Sequence, residues 1–227
     1  MRCHVAFTPA EAAAAQLGIV VDVMRATSTI AQALAAGYRR VLCCAEIDDA
    51  LALRAELGDE AITGGEREAQ RVEAFDAGAS PREFREPRAE TLILSTTNGT
   101  RSIVTAAETC DEVVLGAVRN LDAVAAYARG RGEDVSVLCA GYKGAFAIDD
   151  AYCAGRIVRL VGGDRTDAGI AAEVIAERFP TALEGINART YGPPGLEEDI
   201  AFCAQESVLD VVPRYTRMVG PAAEVVL

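Results

Sequence analysis

Residues 18–37 read GIVVDVMRATSTIAQALAAG. The opening Gly18–Val23 is an apolar run broken only by Asp22, and near-continuous runs of this kind mark strands covered on both faces. A polar loop with Met24 and Arg25 follows. Over Thr27–Ala36, Ile30, Leu34 and the neighbouring alanines then form one helical face, and Gly37 supplies the stop. Strand, polar loop, helix is the building unit of an α/β sheet.

The unit recurs along the chain. Further strands are expected at Arg40–Cys44, Thr91–Ser95, Glu112–Leu115 and Val135–Ala140. Helices are expected at Ile47–Leu57, Gly99–Glu108, Leu121–Gly130, Asp150–Val161 and Asp167–Arg178. The alternation predicts a three-layer α/β/α fold with a mostly parallel sheet. Gly192-Pro193-Pro194-Gly195 is a break, after which a short helix at Leu196–Ala204 and a strand at Val208–Val212 are expected. Strands from this tail would run antiparallel and make the sheet mixed. Asp22–Gly37 and Thr96–Cys110 share a loose strand–loop–helix similarity, too weak to establish a repeat.

The chain has 227 residues, 51% apolar and 25% charged, a globular composition that excludes disorder. No Ser/Gly-rich linker divides it, so residues 1–227 read as one domain. Acids outnumber bases 34 to 22, and the net charge of −12 opposes non-specific binding to nucleic acid or anionic lipid. No apolar run is long enough to span a membrane, and Met1–Ala10 lacks a signal peptide's apolar core. A cytoplasmic location is the expectation. Seven cysteines without a CxxC pair suit reduced, buried thiols.

Ligands of open α/β sheets sit beyond the carboxyl ends of the strands. Polar residues gather there: Asp22, Arg25, Thr27 and Ser28; Asn98, Gly99 and Thr100; Gly141 and then Asp149-Asp150 at a helix start. A middle segment adds Gly64-Gly65-Glu66-Arg67 and Asp76. Thr27, Ser28 and Thr100 are also ordinary N-caps, the glycines ordinary turns, and Asp149-Asp150 an ordinary complement to a helix dipole. Asp22 is costly to bury unless paired, and either Arg25 or a cation could be its partner. Cys139 reads as a small strand residue unless the site surrounds it, and His4, the sole histidine, as structural.

Several chemistries are excluded. One histidine cannot build a two-His metal site, and no Ser or Cys triad is signalled. GxxxxGK[ST] and a strand-linked GxGxxG are both missing. Ala145 stands where a tyrosine-phosphatase loop needs arginine. Met24 stands where a haloacid-dehalogenase motif needs aspartate. Abundant oxygen ligands point to a hard cation, Mg²⁺ before Zn²⁺.

The motifs together resemble the 2-phosphosulfolactate phosphatase family of coenzyme M biosynthesis. They are VVDVMRATSTIAQALAAG (Val20–Gly37), TGGER (Thr63–Arg67), AFDAGASP (Ala74–Pro81), STTNGTR (Ser95–Arg101), GAVRNLDAVA (Gly116–Ala125), CAGYKGAFAIDDAYCAG (Cys139–Gly155) and LEEDIAFCAQESVLDVVP (Leu196–Pro213). The resemblance implies a three-layer α/β/α fold with a mixed sheet. It also implies Mg²⁺-dependent hydrolysis of 2-phospho-3-sulfolactate to 3-sulfolactate and phosphate. This chain departs from the family pattern at Ala79, where Asn is usual, at Ala69, often Gly, and at Asp149, usually Glu.

A substrate with phosphate, carboxylate and sulfonate groups needs a local positive site in an acidic protein. On the resemblance, Asp22, Arg25, Glu66 and Asp150 are the expected catalytic residues. Substrate contacts are expected from Thr27, Ser28, Gly65, Arg67, Asn98, Gly99, Thr100, Cys139 and Gly141, with Cys139 lining the pocket rather than serving as nucleophile. Mg²⁺ ligands would come from Asp22, Glu66, Asp76, Asp149 and Asp150. A phosphatase for another small phosphorylated acid, or a non-catalytic anion-binding relative, is the alternative. A homodimer is left open.

Overall fold

The computed structural model describes residues 1–11 and 14–227. Its strands are β1 (Arg2–Ala6), β2 (Ala15–Val21), β3 (Arg40–Cys44), β4 (Ala61–Arg67), β5 (Gln70–Arg71), β6 (Thr91–Ser95), β7 (Cys110–Gly116), β8 (Val135–Cys139), β9 (Asp164–Arg165), β10 (Arg214–Val219) and β11 (Ala222–Val226). Its helices are α1 (Ala26–Ala36), α2 (Ile47–Leu57), α3 (Gly99–Thr109), α4 (Leu121–Arg131), α5 (Ile148–Val161), α6 (Asp167–Arg178), α7 (Ala182–Asn187) and α8 (Glu197–Cys203). The strands form one continuous sheet in the order β5-β4-β6-β3-β11-β10-β7-β2-β8-β1-β9.

Two parallel blocks make up this sheet. On one side β4, β6 and β3 pair in parallel, and on the other β7, β2, β8, β1 and β9 do. The hairpin β10–β11 lies between them and pairs antiparallel to β3 on one flank and β7 on the other. The expected mixed, three-layer α/β/α architecture is present. Alternation along each strand divides the core. Val41 and Leu94 pack with Ile30 of α1 and Ile103 of α3 on one face. On the other, Leu42 and Ile93 pack with Leu53 of α2, and Ile19 and Val21 with Val124 of α4 and Ile157 of α5.

The chain crosses between the blocks twice, in opposite directions. β2–α1–β3 passes from the second block to the first, and β6–α3–β7 passes back. These are the two stretches whose sequences were loosely similar. Three successive antiparallel junctions reverse strand direction between the blocks, yet the loops beyond β2 and β6 touch. A Cβ on Gly99 would lie 2.3 Å from Ala26 Cβ and 3.0 Å from Asp22 Oδ2. Sheet twist, roughly 20–25° per strand pair, accumulates across the junction and turns the two sets of ends toward each other. The N-terminal turns of α1 and α3 meet there.

Three details differ from the sequence reading. β2 ends at Val21, so Asp22 stands just beyond the strand instead of within it. α5 begins at Ile148, which puts Asp149 and Asp150 inside its first turn. Val208–Val212 forms no strand. Its backbone is spent on an irregular path beside residues 118–120, with Leu209 N–H donating to Arg119 O at 2.9 Å and Leu115 N–H to Pro213 O at 2.9 Å. The antiparallel strands of the tail are β10 and β11 instead. Among the described residues, no helix is long and apolar enough to cross a membrane.

Candidate active site

Beneath the meeting loops lie three buried aspartates. Asp150 ties two strand ends together: its Oδ1 accepts Val23 N–H at 2.9 Å and its Oδ2 accepts Gly141 N–H at 3.0 Å. Asp149 Oδ1 accepts Asp150 N–H at 3.1 Å and the Tyr191 hydroxyl. Its Oδ2 is buried without a hydrogen-bond partner. Asp22, which lines the cleft above, accepts Ala26 N–H on Oδ1 at 3.3 Å. Among the described residues no arginine or lysine forms an ion pair with any of the three.

Burial without a counter-charge favours the protonated form. Burial, reinforced by the Glu66 and Asp149 carboxylates and opposed by the Ala26 N–H and Arg25, pushes Asp22 up to about 7. Burial and the neighbouring Asp149 and Asp22 carry Asp150 well above the usual carboxylate range, and burial raises Asp149.

The cleft encloses a cavity of about 50 Å³, room for a few water-sized groups. Glu66, at the end of β4, forms one wall. Its Oε1 accepts Thr97 N–H at 2.8 Å and the Thr97 hydroxyl at 2.9 Å, and its Oε2 accepts Ala69 N–H at 2.7 Å. Thr96 and Asn98 line the cleft beside it, and the buried Thr96 hydroxyl has no partner. Arg25, Lys143 and Arg189 bring positive charge to the same cleft. Arg25 Nη1 pairs with Asp199 Oδ2 at 2.7 Å and Nη2 donates to Ala69 O at 3.0 Å. Tyr142 and Tyr191 stack across it at 4.3 Å.

Of the residues expected from sequence, Asp22, Arg25, Glu66 and Asn98 line this cleft, with Asp149 and Asp150 beneath. The others do not line it. Thr27 and Ser28 are buried in the first turn of α1, with hydroxyls donating to the Asp22 and Val23 carbonyls, and Thr100 donates to Cys44 O. Arg67 turns away, toward Ala45 O and the Ser95 hydroxyl. Asp76 Oδ2 is held by Thr63 N–H at 2.8 Å and by the Thr63 hydroxyl at 2.9 Å. Those bonds pull its proton affinity down, with Arg54 helping. Gly65 lets β4 approach β6, since a Cβ there would sit 2.1 Å from Ser95 O, and Gly99 lets α3 approach α1. Gly141 adopts a left-handed turn at φ 66°. Cys139 is buried outside the cleft, and burial drives its thiol well above the usual range.

For a metal, the donors on offer are hard oxygens. Asp22 Oδ2 and the unpartnered Thr96 Oγ1 both lie close to Gly99, 3.0 and 3.2 Å from a Cβ built there, where the Ala26 methyl is packed at 2.3 Å. Among the described residues no three carboxylate, thiol or imidazole side chains form a ready coordination set. Mg²⁺ does not require one, because it is commonly held by one or two carboxylates with water and substrate phosphate. The set therefore fits Mg²⁺.

The family model for 2-phosphosulpholactate phosphatase matches residues 4–218. The chain belongs to this family. It is 35% identical over 209 residues to a probable 2-phosphosulfolactate phosphatase of Clostridium acetobutylicum, covering 87% of this chain and 88% of that one. It is 35% identical over 217 residues to a protein so named in Thermotoga petrophila, covering 92% and 93%. A Caldanaerobacter subterraneus protein of the same name is 33% identical over 208 residues, covering 86% of each. Membership places the chain among phosphoric monoester hydrolases. Within this 2-phosphosulpholactate phosphatase fold, sequence reasoning had assigned no role to Lys143, Arg189, Tyr191 or Asp199. Lys143 and Asp199 lay inside quoted motifs, whereas Arg189 and Tyr191 precede the GPPG break with no signal around them.

Proposed function

We propose that this chain hydrolyses 2-phospho-3-sulfolactate to 3-sulfolactate and phosphate with Mg²⁺. The observation that carries the reading is one cleft holding both Asp22, a buried carboxylate without a cationic partner, and the side chains of Arg25, Lys143 and Arg189. A polyanion needs the arginines and lysine; an unpaired carboxylate beside it needs a cation. Asp22 with the Thr96 hydroxyl, and Glu66 across from them, would hold Mg²⁺. A bound Mg²⁺ supplies charge neutralisation on the phosphoryl oxygens.

The chain's own residues do the rest. Arg25, fixed by Asp199 and the Ala69 carbonyl, orients its remaining N–H groups on a substrate oxyanion. Asn98 opens α3 without capping it through its side chain, leaving backbone N–H groups at the cleft for the phosphate. Asp150 engages both oxygens with backbone and so holds the loops after β2 and β8 in place. Burial, with the Glu66 and Asp149 carboxylates, keeps proton affinity high at Asp22, so a cation is the partner that site favours.

Phosphate release from 2-phospho-3-sulfolactate and from a panel of phosphorylated hydroxyacids tests this. Turnover is expected with Mg²⁺, none with EDTA, and little with Zn²⁺. Full activity after exhaustive chelation overturns the metal assignment. Turnover of a different panel member alone overturns the substrate.

A further inference from the structure

The mouth of the cleft carries an ion pair that stability does not explain. Lys143 Nζ lies 2.9 Å from Glu68 Oε1, joining the turn after β8 to the tip of the β4–β5 hairpin. Both side chains are well exposed, at 51% and 77%, and pairs this wet contribute little to folding. Both residues also occupy left-handed backbone, φ 51° at Lys143 and φ 54° at Glu68. Glycine adopts that conformation without penalty and any other residue adopts it at a cost, so neither position selects for a side chain on local grounds. Lys143 is moreover the one lysine among 22 basic residues. The structure holds a compact, mobile positive charge at the rim of the cleft, on backbone that disfavours it.

Depth in the cleft supplies the other half of the argument. Arg25, 9% exposed and fixed by Asp199, belongs to the buried end with Asp22 and the first turns of α1 and α3. A phosphoryl group placed there directs the remainder of the substrate outward, toward Lys143. We infer that Lys143 is a specificity-determining residue that recognises a second oxyanion of the substrate, and that Glu68 holds it in place until the substrate exchanges for the glutamate. This rests on the phosphatase reading above. An ammonium on a four-carbon stem suits the exchange, because a point charge releases one oxyanion and takes another without realigning a planar fork.

The test compares three phosphate esters: 2-phospho-3-sulfolactate, 2-phospholactate, which lacks the sulfonate, and 2-sulfoethyl phosphate, which lacks the carboxylate. Lys143→Met should raise KM for the first at least about tenfold with kcat little changed, as loss of a charged contact of this class does. The effect should vanish on whichever analogue lacks the recognised group, which also tells sulfonate from carboxylate. Lys143→Arg should recover part of the affinity. Glu68→Gln should lower KM for the full substrate about two- to threefold, a change that a merely structural pair would not produce. An equal KM rise on all three esters, or none on any, overturns the assignment. If wild-type protein releases phosphate from none of them, the phosphatase reading itself falls. Calorimetric binding of 3-sulfolactate then decides the role of Lys143. Weaker binding by Lys143→Met than by wild type supports it, and equal binding or none by wild type overturns it.

Discussion

Asp22 is stabilised by its site only when something positive arrives. The folded chain keeps this proton up to about pH 7, whereas an unfolded aspartate releases it near 3.9. Between those values the folded state binds more protons, so its stability falls as pH rises from about 4 to about 7 and the full penalty persists above. Metal-free protein is therefore expected to melt lower at pH 8 than at pH 5.5, with Mg²⁺ recovering part of the difference; differential scanning fluorimetry at the two pH values checks it. Asp22→Asn should stabilise the metal-free protein at pH 8 while phosphatase activity is lost. Arg25 behaves in the opposite way, because its ion pair with Asp199 is buried, at 9% and 6% exposure. Arg25→Ala leaves Asp199 with the Ser80 hydroxyl at 2.5 Å and Arg82 at 3.6 Å. A loss of about 3 kcal/mol in urea unfolding is expected, at the low end for breaking a buried pair, together with a large fall in kcat/KM. The oddity of Asp22 was visible in sequence as a carboxylate in an apolar run. Its relation to Arg25 was not, because the true partner lies 174 positions further on and nothing local signals it.

The hairpin that carries Glu66 shows how elements serve the site. Arg67 pairs with Gln70 and Glu66 with Arg71, leaving Glu68 and Ala69 as a two-residue turn, both at positive φ. Such turns favour Asn-Gly or Asp-Gly. Ala69→Gly should relieve the left-handed strain, φ 65°, and stabilise the protein by about 0.5–1 kcal/mol after the entropy of glycine is subtracted, as chemical denaturation would show. The converse holds at Gly155 of α5, where a Cβ would come 2.0 Å from Ala172 O of α6. Gly155→Ala gains about 1 kcal/mol of helix propensity but forces two packed helices apart, so a lower Tm is expected. Elements were legible where one physical cause dominates. β3, β6 and β8 announced themselves as apolar runs because both faces are covered. β4 did not, since Gly64-Gly65 interrupts its run in order to let neighbouring backbone approach. β10 was hidden by its exposed arginines, and the more apolar Val208–Val212 drew the assignment that belonged to it.

At the scale of the whole molecule, the two parallel blocks are joined within the sheet through β10 and β11, and the candidate site lies where the first turns of α1 and α3 meet. The general α/β layout followed from the alternation of runs, but the reversal between blocks could not, because strand order is a property of long-range pairing. Val225 is fully buried in β11, opposite both Val41 and Tyr215. Val225→Pro removes a ladder hydrogen bond in mid-sheet and should yield aggregated protein, in contrast to soluble Val225→Ile; sedimentation after expression checks this. The hairpin also has a consequence for biosynthesis. Its two strands follow every other strand in the chain, yet they occupy the centre of the sheet. While a ribosome is still translating them, the inward edges of β3 and β7 stay bare. Such edges recruit other chains, so a chain truncated before β10 is expected to aggregate, as sedimentation after expression would show.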